Sequence, residues 1–374
     1  MTAAASATSL QPADNRLAQL DGLRAIAIAM VMIAHLLPVP RPMAVLGHWG
    51  VSLFFVLSGF LITRILLDLR QQSIGGSLKA FYARRALRIL PPYYLLLAVV
   101  WLLDVRKVAD RIGWHAAYLS NYMFTAGETG GFDRHLWSLS VEEQFYLAWP
   151  WLMLLLPVRV LPMVFVACIG IAAGWRAWAW HVMQTDGWAE GWLNYPTPVH
   201  LDLLAIGGLV GYVLFQKRTD AEAEALGSGA VTARNPKLPL RRPWVAWTAL
   251  LAGLPFVIVD AATFGQNTLL DWRIWFGQTS LAVLFAGVVA LVASFPCRPL
   301  AWRPIAYVGT ISYGMYLVHT FTGELARRLL GRDGGGWLVG LTACGLTLLI
   351  AAGSWHLFEQ PILRLKRRFP YPRP

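Results

Sequence analysis

Apolar stretches long enough to cross a bilayer recur along the whole chain, separated by short polar linkers. A spanning helix needs about 20 predominantly apolar residues, because the hydrocarbon core of a bilayer is about 30 Å thick. The pattern therefore predicts an all-α fold, a polytopic membrane helical bundle of about ten transmembrane helices, with eleven as the alternative count. The predicted spans cover residues 23–39, 48–69, 88–105, 136–157, 159–182, 199–216, 243–261, 274–295, 304–321 and 336–357.

The composition also indicates a membrane protein. Of 374 residues, 57% are hydrophobic and only 14% are charged, with a mean hydropathy of +0.51, whereas soluble domains carry about 25% charged residues. The three cysteines, Cys168, Cys297 and Cys344, show no CxxC spacing and predict neither a disulfide framework nor a zinc site. The sequence has no P-loop, HExxH or GxSxG motif, so we predict no metal and no elbow-type serine hydrolase.

The net charge of +12 would suggest a nucleic-acid partner in a soluble protein, but here its distribution indicates a topology. Lys and Arg concentrate in residues 64–88, 217–242 and 358–374, which share one side if the spans alternate, and the positive-inside rule makes that side cytoplasmic. We expect no nucleic-acid partner and no cleavable signal peptide. We expect one domain over 1–374 in the plasma (bacterial inner) membrane, with a cytoplasmic N-terminus at 1–22, a cytoplasmic linker and a basic cytoplasmic tail.

The opposite side receives two longer loops, residues 106–135 and 183–198. The second is rich in Trp, Gly and Pro. Tryptophan at this position is typical of an interfacial belt, and a stacking surface for a sugar is the alternative.

The first predicted span carries two ionisable residues, Arg24 and His35. Eleven positions make about three helical turns, so the two side chains share one face about 16 Å apart along the axis. Ionisable residues within spans are costly and usually face a protein interior or an aqueous cavity. Histidine is also the side chain suited to proton transfer near neutrality. We interpret the pair as a fixed cation and a titratable base on one path, with an interfacial anchor and a core histidine as the alternative.

A second arginine pair, Arg85 and Arg88, lies three residues apart at the cytoplasmic edge, before Pro91 and Pro92 at the predicted start of the third span. Together with Arg24 these residues could form a guanidinium cluster for phosphate groups, which arginine binds through paired hydrogen bonds. The alternative is positive-inside anchoring. For the neighbouring Arg84 we prefer anchoring.

Two adjacent carboxylates, Glu142 and Glu143, open the fourth span. They point about 100° apart, so both should not face one cavity equally. Glu142 shares a face with Ser138 and Tyr146. At that depth it could meet His35, orient the imidazole and stabilise its charged form. A structural hydrogen bond within the bundle is the alternative.

Further polar residues lie near the outer side. His200 and Asp202 open the sixth span, and Tyr316 and His319 lie three apart on one face of the ninth. We interpret these four as candidate acceptor-binding groups, with interfacial or structural positions as the alternative. Glu359 closes the last span, where a helix stop is the favoured interpretation.

The set of segments resembles the acyltransferase-3 family of integral membrane acyltransferases, over nearly the whole chain and in the family's order. The matching segments are LDGLRAIAIAMVMIAH, GHWGVSLFFVLSGFLI, FYARRALRIL, WSLSVEEQFY, ISYGMYLVH and LFEQPI. The resemblance implies about ten spans with cytoplasmic termini. It also implies transfer of an acetyl or other short acyl group from acyl-CoA to a hydroxyl of a surface polysaccharide, a lipopolysaccharide or a related acceptor.

The resemblance assigns roles to five residues. Arg24 and His35 match the family's arginine–ten–histidine pair, Arg85 and Arg88 its Arg-x-x-Arg pair, and Glu142 its glutamate after the WSL segment. The implied mechanism brings acetyl-CoA from the cytoplasm and binds its phosphates with the three arginines. His35 then deprotonates the acceptor hydroxyl or carries the acyl group, while Glu142 orients it.

The sequence departs from the family pattern in two places. Ser52 stands where members often have Asp, so a role for this position is not predicted. Many members also carry a soluble SGNH esterase-like domain, and its absence here predicts a separate periplasmic acyl-transfer partner besides membrane lipids and the surface glycan or lipid-linked glycan acceptor. The rival interpretations are a multi-span transporter or exporter and a lipid-linked glycosyltransferase or ligase.

Overall fold

The helices form one bundle built from long apolar segments. The structure is a computed structural model that describes residues 12–103, 105, 108–128, 130–186, 190–227, 244–263, 277–331 and 336–371. Within these residues the secondary structure is helical and no strand occurs. The α-helices are α1 (Pro12–Leu36), α2 (Val45–Leu69), α3 (Ile74–Leu102), α4 (Ile112–Ala116), α5 (Ser120–Thr125), α6 (Leu136–Leu155), α7 (Leu161–Asp186), α8 (Gly191–Asn194), α9 (Leu201–Gly227), α10 (Trp244–Thr263), α11 (Gln278–Ser294), α12 (Arg303–Leu330), α13 (Gly336–Ser354) and α14 (Gln360–Leu363).

The predicted helical membrane bundle is confirmed. Each of the ten predicted spans coincides with one of the long helices, and six helical segments of the described residues are long and apolar enough to cross a membrane. Two further apolar helices, Ala246–Val259 and Gln278–Ser294, are shorter. The count of ten spans and the cytoplasmic position of both termini stay predictions.

The third span begins earlier than the sequence predicts. Helix α3 starts at Ile74 and continues through Pro91 and Pro92, so Arg85 and Arg88 lie in mid-helix and not at a helix start. Prolines are tolerated inside membrane helices because neighbouring groups satisfy the backbone carbonyls that they leave without a donor.

Two other predicted segments differ in part from the structure. Residues 217–227 of the predicted linker continue helix α9, and 228–243 lie outside the described residues. The basic tail folds back onto α3, where the Arg84 guanidinium donates to the Lys366 and Phe369 carbonyls at 3.2 Å and covers the Tyr371 ring at 4.4 Å. Arg84 therefore holds the tail.

Glycines let the central helices approach to backbone contact. A Cβ on Gly59 of α2 would overlap the Leu204 carbonyl of α9, and one on Gly309 of α12 would overlap the Asp21 carbonyl of α1. Small residues at helix interfaces are the usual means of close packing in membranes. Helices α1 and α12 run parallel, since their first halves meet at Asp21 and Gly309, and His35 in the last turn of α1 meets His319 in the second half of α12. The packing of α1 against α12 positions the histidine pair described below.

Candidate active site

The three predicted arginines lie together. Arg24 from α1 and Arg85 and Arg88 from α3 line one cavity of about 700 Å³, counting its open mouth. We call it the arginine cavity. Arg24 is also paired with Asp21 at 2.8 Å. Three guanidinium groups on one wall favour an anionic ligand with several oxygen acceptors, such as a phosphate group.

Both carboxylates of α6, Glu142 and Glu143, also line the arginine cavity; the prediction that they do not face one cavity equally stays a prediction. The cavity wall spans a wide arc of the helix. Glu142 Oε1 accepts a hydrogen bond from the Ser58 hydroxyl at 2.7 Å, and Tyr146 donates to the same hydroxyl at 2.9 Å. The Arg85 guanidinium lies over the Tyr146 ring at 5.1 Å. Ser58 and Tyr146 thus fix the Glu142 carboxylate on the cavity wall.

The predicted pairing of Glu142 with His35 is not formed in this structure. Glu142 contacts Ser58 in the arginine cavity, whereas the His35 ring pairs with His319. The prediction relied on equal depth in the membrane, and equal depth on two helices does not set the direction of either side chain. The residue that contacts His35 is another histidine.

His35 and His319 form a stacked pair. The His35 Nδ1 and His319 Nε2 atoms are 2.9 Å apart, and the ring planes differ by 8°. His319 Nδ1 lies 2.7 Å from the Tyr316 carbonyl oxygen. A carbonyl only accepts, so His319 Nδ1 carries a hydrogen, and in the neutral ring its Nε2 must then accept. His35 therefore donates from Nδ1, which leaves its Nε2 with a free lone pair.

Gly47 keeps space open beside that lone pair. A Cβ placed on Gly47 would lie 3.2 Å from His35 Nε2 and 3.2 Å from the Ala34 Cβ. This is tighter than ordinary van der Waals contact, so any side chain there would push against the ring. Gly47 lies within a segment that carries the family resemblance, but no spacing rule places it at the imidazole.

A third histidine, His135, completes the cluster and was missed by the sequence analysis. Its ring centroid lies 4.8 Å from that of His319, and its Nδ1 lies 2.8 Å from the Phe132 carbonyl oxygen. His135 directly precedes α6, three residues before Ser138. His135 ends the predicted loop 106–135 and lies next to the WSL segment, and this position could have marked it as a candidate site residue.

A thin polar partition separates the arginine cavity from the histidines. Tyr316 and Ser138 line the cavity, and their hydroxyl oxygens are 2.6 Å apart. Tyr316 also donates to the His135 carbonyl at 3.0 Å, and its ring centroid lies 5.4 Å from that of His319. Tyr316 therefore lines the arginine cavity and also contacts His135 and His319. Of the predicted pair, Tyr316 therefore forms part of this partition, and His319 lies behind it with the other two histidines.

On the far side, His35 and His135 line a second cavity of about 900 Å³, counting its open mouth. We call it the histidine cavity, and it is also lined by Phe132, Arg134, Trp137 and Arg327. The loop along its edge is fixed by Asp133, whose carboxylate pairs with His115 at 3.1 Å and accepts from the Gly131 N–H at 2.8 Å. Burial raises the pKa of Asp133, but these hydrogen bonds outweigh it and hold the pKa below its ordinary value. Asp133 is therefore turned inward as an anion.

His200 and Asp202 have structural partners. Asp202 is buried and pairs with Arg176 of α7 at 2.8 Å, and it accepts from the Thr279 hydroxyl at 2.6 Å. His200 Nε2 lies 2.9 Å from the Asn194 carbonyl oxygen. A carboxylate already engaged by a guanidinium and a hydroxyl has little capacity left for a substrate. These contacts favour the structural alternative for both residues.

Among the described residues, no group of three or more His, Cys, Asp or Glu side chains has the geometry to hold a metal ion.

Comparison with known proteins gives one family and several relatives. The sequence model of the acyltransferase domain matches residues 17–356. The peptidoglycan O-acetyltransferase OatA of Listeria monocytogenes is 28% identical over 359 residues, which cover 92% of this chain and 55% of the relative. The protein named "Putative peptidoglycan O-acetyltransferase YrhL" of Bacillus subtilis is 29% identical over 370 residues, covering 92% and 54%. The chain thus spans about half the length of these relatives. No solved structure matches it significantly.

Proposed function

The chain belongs to the acyltransferase-3 family, and on that premise we propose that it is a membrane O-acyltransferase. It moves an acetyl or other short acyl group from cytoplasmic acyl-CoA to a hydroxyl of a cell-surface glycan or its lipid-linked precursor. The observation that carries this proposal is the arrangement of three arginines and His35 on the two sides of one thin partition. Relatives named for peptidoglycan O-acetylation make peptidoglycan or its precursor the first acceptor to test.

The arginine cavity is the proposed donor site. Arg24, Arg85 and Arg88 bind the phosphates of CoA, and the flexible pantetheine arm extends toward the partition formed by Ser138 and Tyr316. Glu142 and Glu143 face the same space and limit the excess positive charge, which helps CoA to leave after transfer.

His35 performs the transfer in the proposed mechanism. Its Nε2 lone pair takes the proton from the acceptor hydroxyl as the oxygen attacks the thioester carbonyl, and the CoA thiolate leaves and is protonated. In the alternative route Nε2 itself attacks the thioester, and the acyl group passes from the ring to the acceptor. Single-turnover trapping of label on His35, passed on at a competent rate, would distinguish the second route from the first.

The direct test uses purified protein in nanodiscs with radiolabelled acetyl-CoA and a peptidoglycan fragment. We expect CoA release and labelled glycan from the wild type, and neither from His35→Ala. His356→Ala is the matched control, because His356 contacts Tyr307 away from both cavities. Turnover that survives in His35→Ala would contradict the proposal, and label crossing a membrane without CoA release would indicate a transporter.

The donor site has its own test. Arg85→Gln and Arg88→Gln should each raise KM for acetyl-CoA roughly tenfold, because a hydrogen bond to a charged group contributes about 1.5–3 kcal/mol. KM for S-acetylpantetheine, which lacks the nucleotide phosphates, should not change. Arg84→Gln serves as the matched control, since Arg84 binds the tail. If the two variants raised KM equally for acetyl-CoA and for S-acetylpantetheine, the arginines would not bind the CoA phosphates.

A further inference from the structure

The histidine cavity carries positive charge that the proposed mechanism does not use. Arg134 and Arg327 line it together with His35. Among the described residues, no carboxylate lies within salt-bridge distance of Arg134. Arg327 shares the single carboxylate of Glu324 with Arg328, at 3.4 Å and 3.0 Å. The wall beside His35 therefore has more guanidinium than carboxylate charge.

The two acids closest to Arg134 in sequence are paired with other residues. Asp133, next to Arg134 in sequence, is buried against His115 and the Gly131 N–H. Glu128 pairs with Arg111 at 2.6 Å. The loop thus turns its carboxylates away from the cavity and leaves the arginine facing it.

The Arg134 side chain is also held in place. It passes over Gly130, where an added Cβ would meet the Arg134 Cβ at 2.7 Å and its Nε at 3.0 Å. The Arg134 backbone N–H bonds to the Gly131 carbonyl at 3.4 Å. The aromatic rings of Phe132 and Trp137 line the same cavity, and aromatic faces suit the apolar faces of sugar rings.

From these observations we infer that the histidine cavity is an acceptor subsite that selects an acidic sugar. Arg134 and Arg327 bind a carboxylate or phosphate of the glycan while its hydroxyl approaches His35 Nε2. Guanidinium groups bind either anion through paired hydrogen bonds. The inference rests on the proposed function and specifies the acceptor class of that same site.

The test measures sugar binding directly, so that it does not depend on turnover. Saturation-transfer NMR on the protein in nanodiscs of zwitterionic lipid would compare three probes: the N-acetylglucosaminyl–N-acetylmuramic acid disaccharide, its neutral methyl amide, and the 1-phosphate of that amide. We expect both anionic probes to bind at least about tenfold more tightly than the neutral one, corresponding to at least about 1.4 kcal/mol. Arg134→Gln and Arg327→Gln should each reduce this preference, and the double variant should abolish it.

Arg328→Gln is the matched control, because Arg328 is the next residue on α12, contacts the same Glu324 and does not line the cavity. It should keep the preference. Equal affinity for all three probes, no binding of any probe, or a preference that survives in the double variant would overturn the inference. If anionic lipid in the nanodiscs displaced the sugars from the wild type, the two arginines would belong to lipid phosphates instead. CoA release on the same samples tests the proposed function separately.

Discussion

At the scale of single residues, groups on helix α12 determine the tautomer of His35, which lies on α1. The Tyr316 carbonyl fixes the hydrogen on His319 Nδ1, and His319 Nε2 then accepts from His35 Nδ1. The remaining nitrogen of His35 is an acceptor beside Gly47, and the residue lines the histidine cavity. The same logic underlies histidine bases that are oriented by a second group, with an imidazole here in place of a carboxylate.

Replacing His319 should test this orientation. We predict that His319→Ala lowers kcat by about 100-fold, because a misplaced catalytic group can cost that much, while KM for acetyl-CoA stays unchanged. His319→Gln should recover part of the loss, since its amide oxygen can accept from His35 Nδ1. A purely structural role would instead show the same loss in both variants, together with a lower unfolding temperature.

Gly47→Ala should lower activity through His35 alone. The new methyl group would lie 3.2 Å from His35 Nε2, so the ring must shift or the acceptor oxygen must stay farther away. We expect kcat to fall about tenfold with little change in thermal stability. Gly345→Ala is the control, because nothing lies within 4 Å of a Cβ there. Equal activity in the two variants would contradict the assignment of Nε2 as the reacting atom.

Asp133 should make the loop of the histidine cavity sensitive to acid. Its pKa is lowered in the folded protein, so its contribution to stability is complete above the unfolded-state pKa of about 3.9 and is lost as the pH falls through the lower folded value. The protection factors of residues 130–135 against hydrogen exchange should therefore fall below about pH 4. Asp133→Asn should exchange faster already at neutral pH and show a weaker acid dependence, while Glu128→Gln should follow the wild type.

Residue-scale prediction from the sequence succeeded where helical spacing decides the outcome. The three arginines do meet in one cavity: Arg85 and Arg88 share a face of α3, and Arg24 of α1 lines the same space. The contacts of His35 were not predicted, because they depend on how two helices are oriented relative to each other. The partner of His35 is His319 and not Glu142. His135 lies in a loop and Gly47 lies on a neighbouring helix, and no spacing rule connects either residue to His35.

At the scale of elements, a buried ion pair and its hydrogen bonds join helices α7, α9 and α11. Arg176 of α7 pairs with Asp202 of α9, and its guanidinium also donates to Thr279 of α11 at 2.9 Å. A charge at this depth is tolerated only when it is paired and hydrogen-bonded. One ion pair thus joins three helices.

Asp202→Asn should destabilise the protein by about 3–5 kcal/mol, because it leaves the Arg176 charge buried without its partner. Asp68→Asn is the matched control. The Asp68–Arg218 pair is partly exposed, so its loss should change stability by no more than about 1 kcal/mol. Unfolding in detergent measures both variants, and equal effects would contradict the structural role of Asp202.

Helix positions followed from hydropathy more closely than helix ends. The ten predicted spans fall on helices, yet α3 begins at Ile74 where residue 88 was predicted. The polar first half of α3 carries no apolar signal, so a hydropathy pattern cannot detect it. Backbone contacts such as Gly59 against Leu204 likewise depend on which helices are neighbours, which the sequence pattern leaves open.

At the scale of the whole molecule, the arginine cavity and the histidine cavity meet at one partition. Helices α1 and α12 run in parallel from the arginine cavity to the histidine cavity, and Tyr316 and Ser138 stand between them. In the proposed function, the donor lies on one side of this partition, the acceptor lies on the other side, and the two substrates meet at His35.

Sided proteoliposomes test that claim most directly. Acetyl-CoA is placed only on the side of the basic tail, as located by labelling a cysteine introduced at Arg367, and the glycan only on the opposite side. The account predicts CoA release and acetylated glycan in this arrangement, and none when the two substrates are exchanged. Transfer that occurs only when acetyl-CoA and glycan share one side would contradict it.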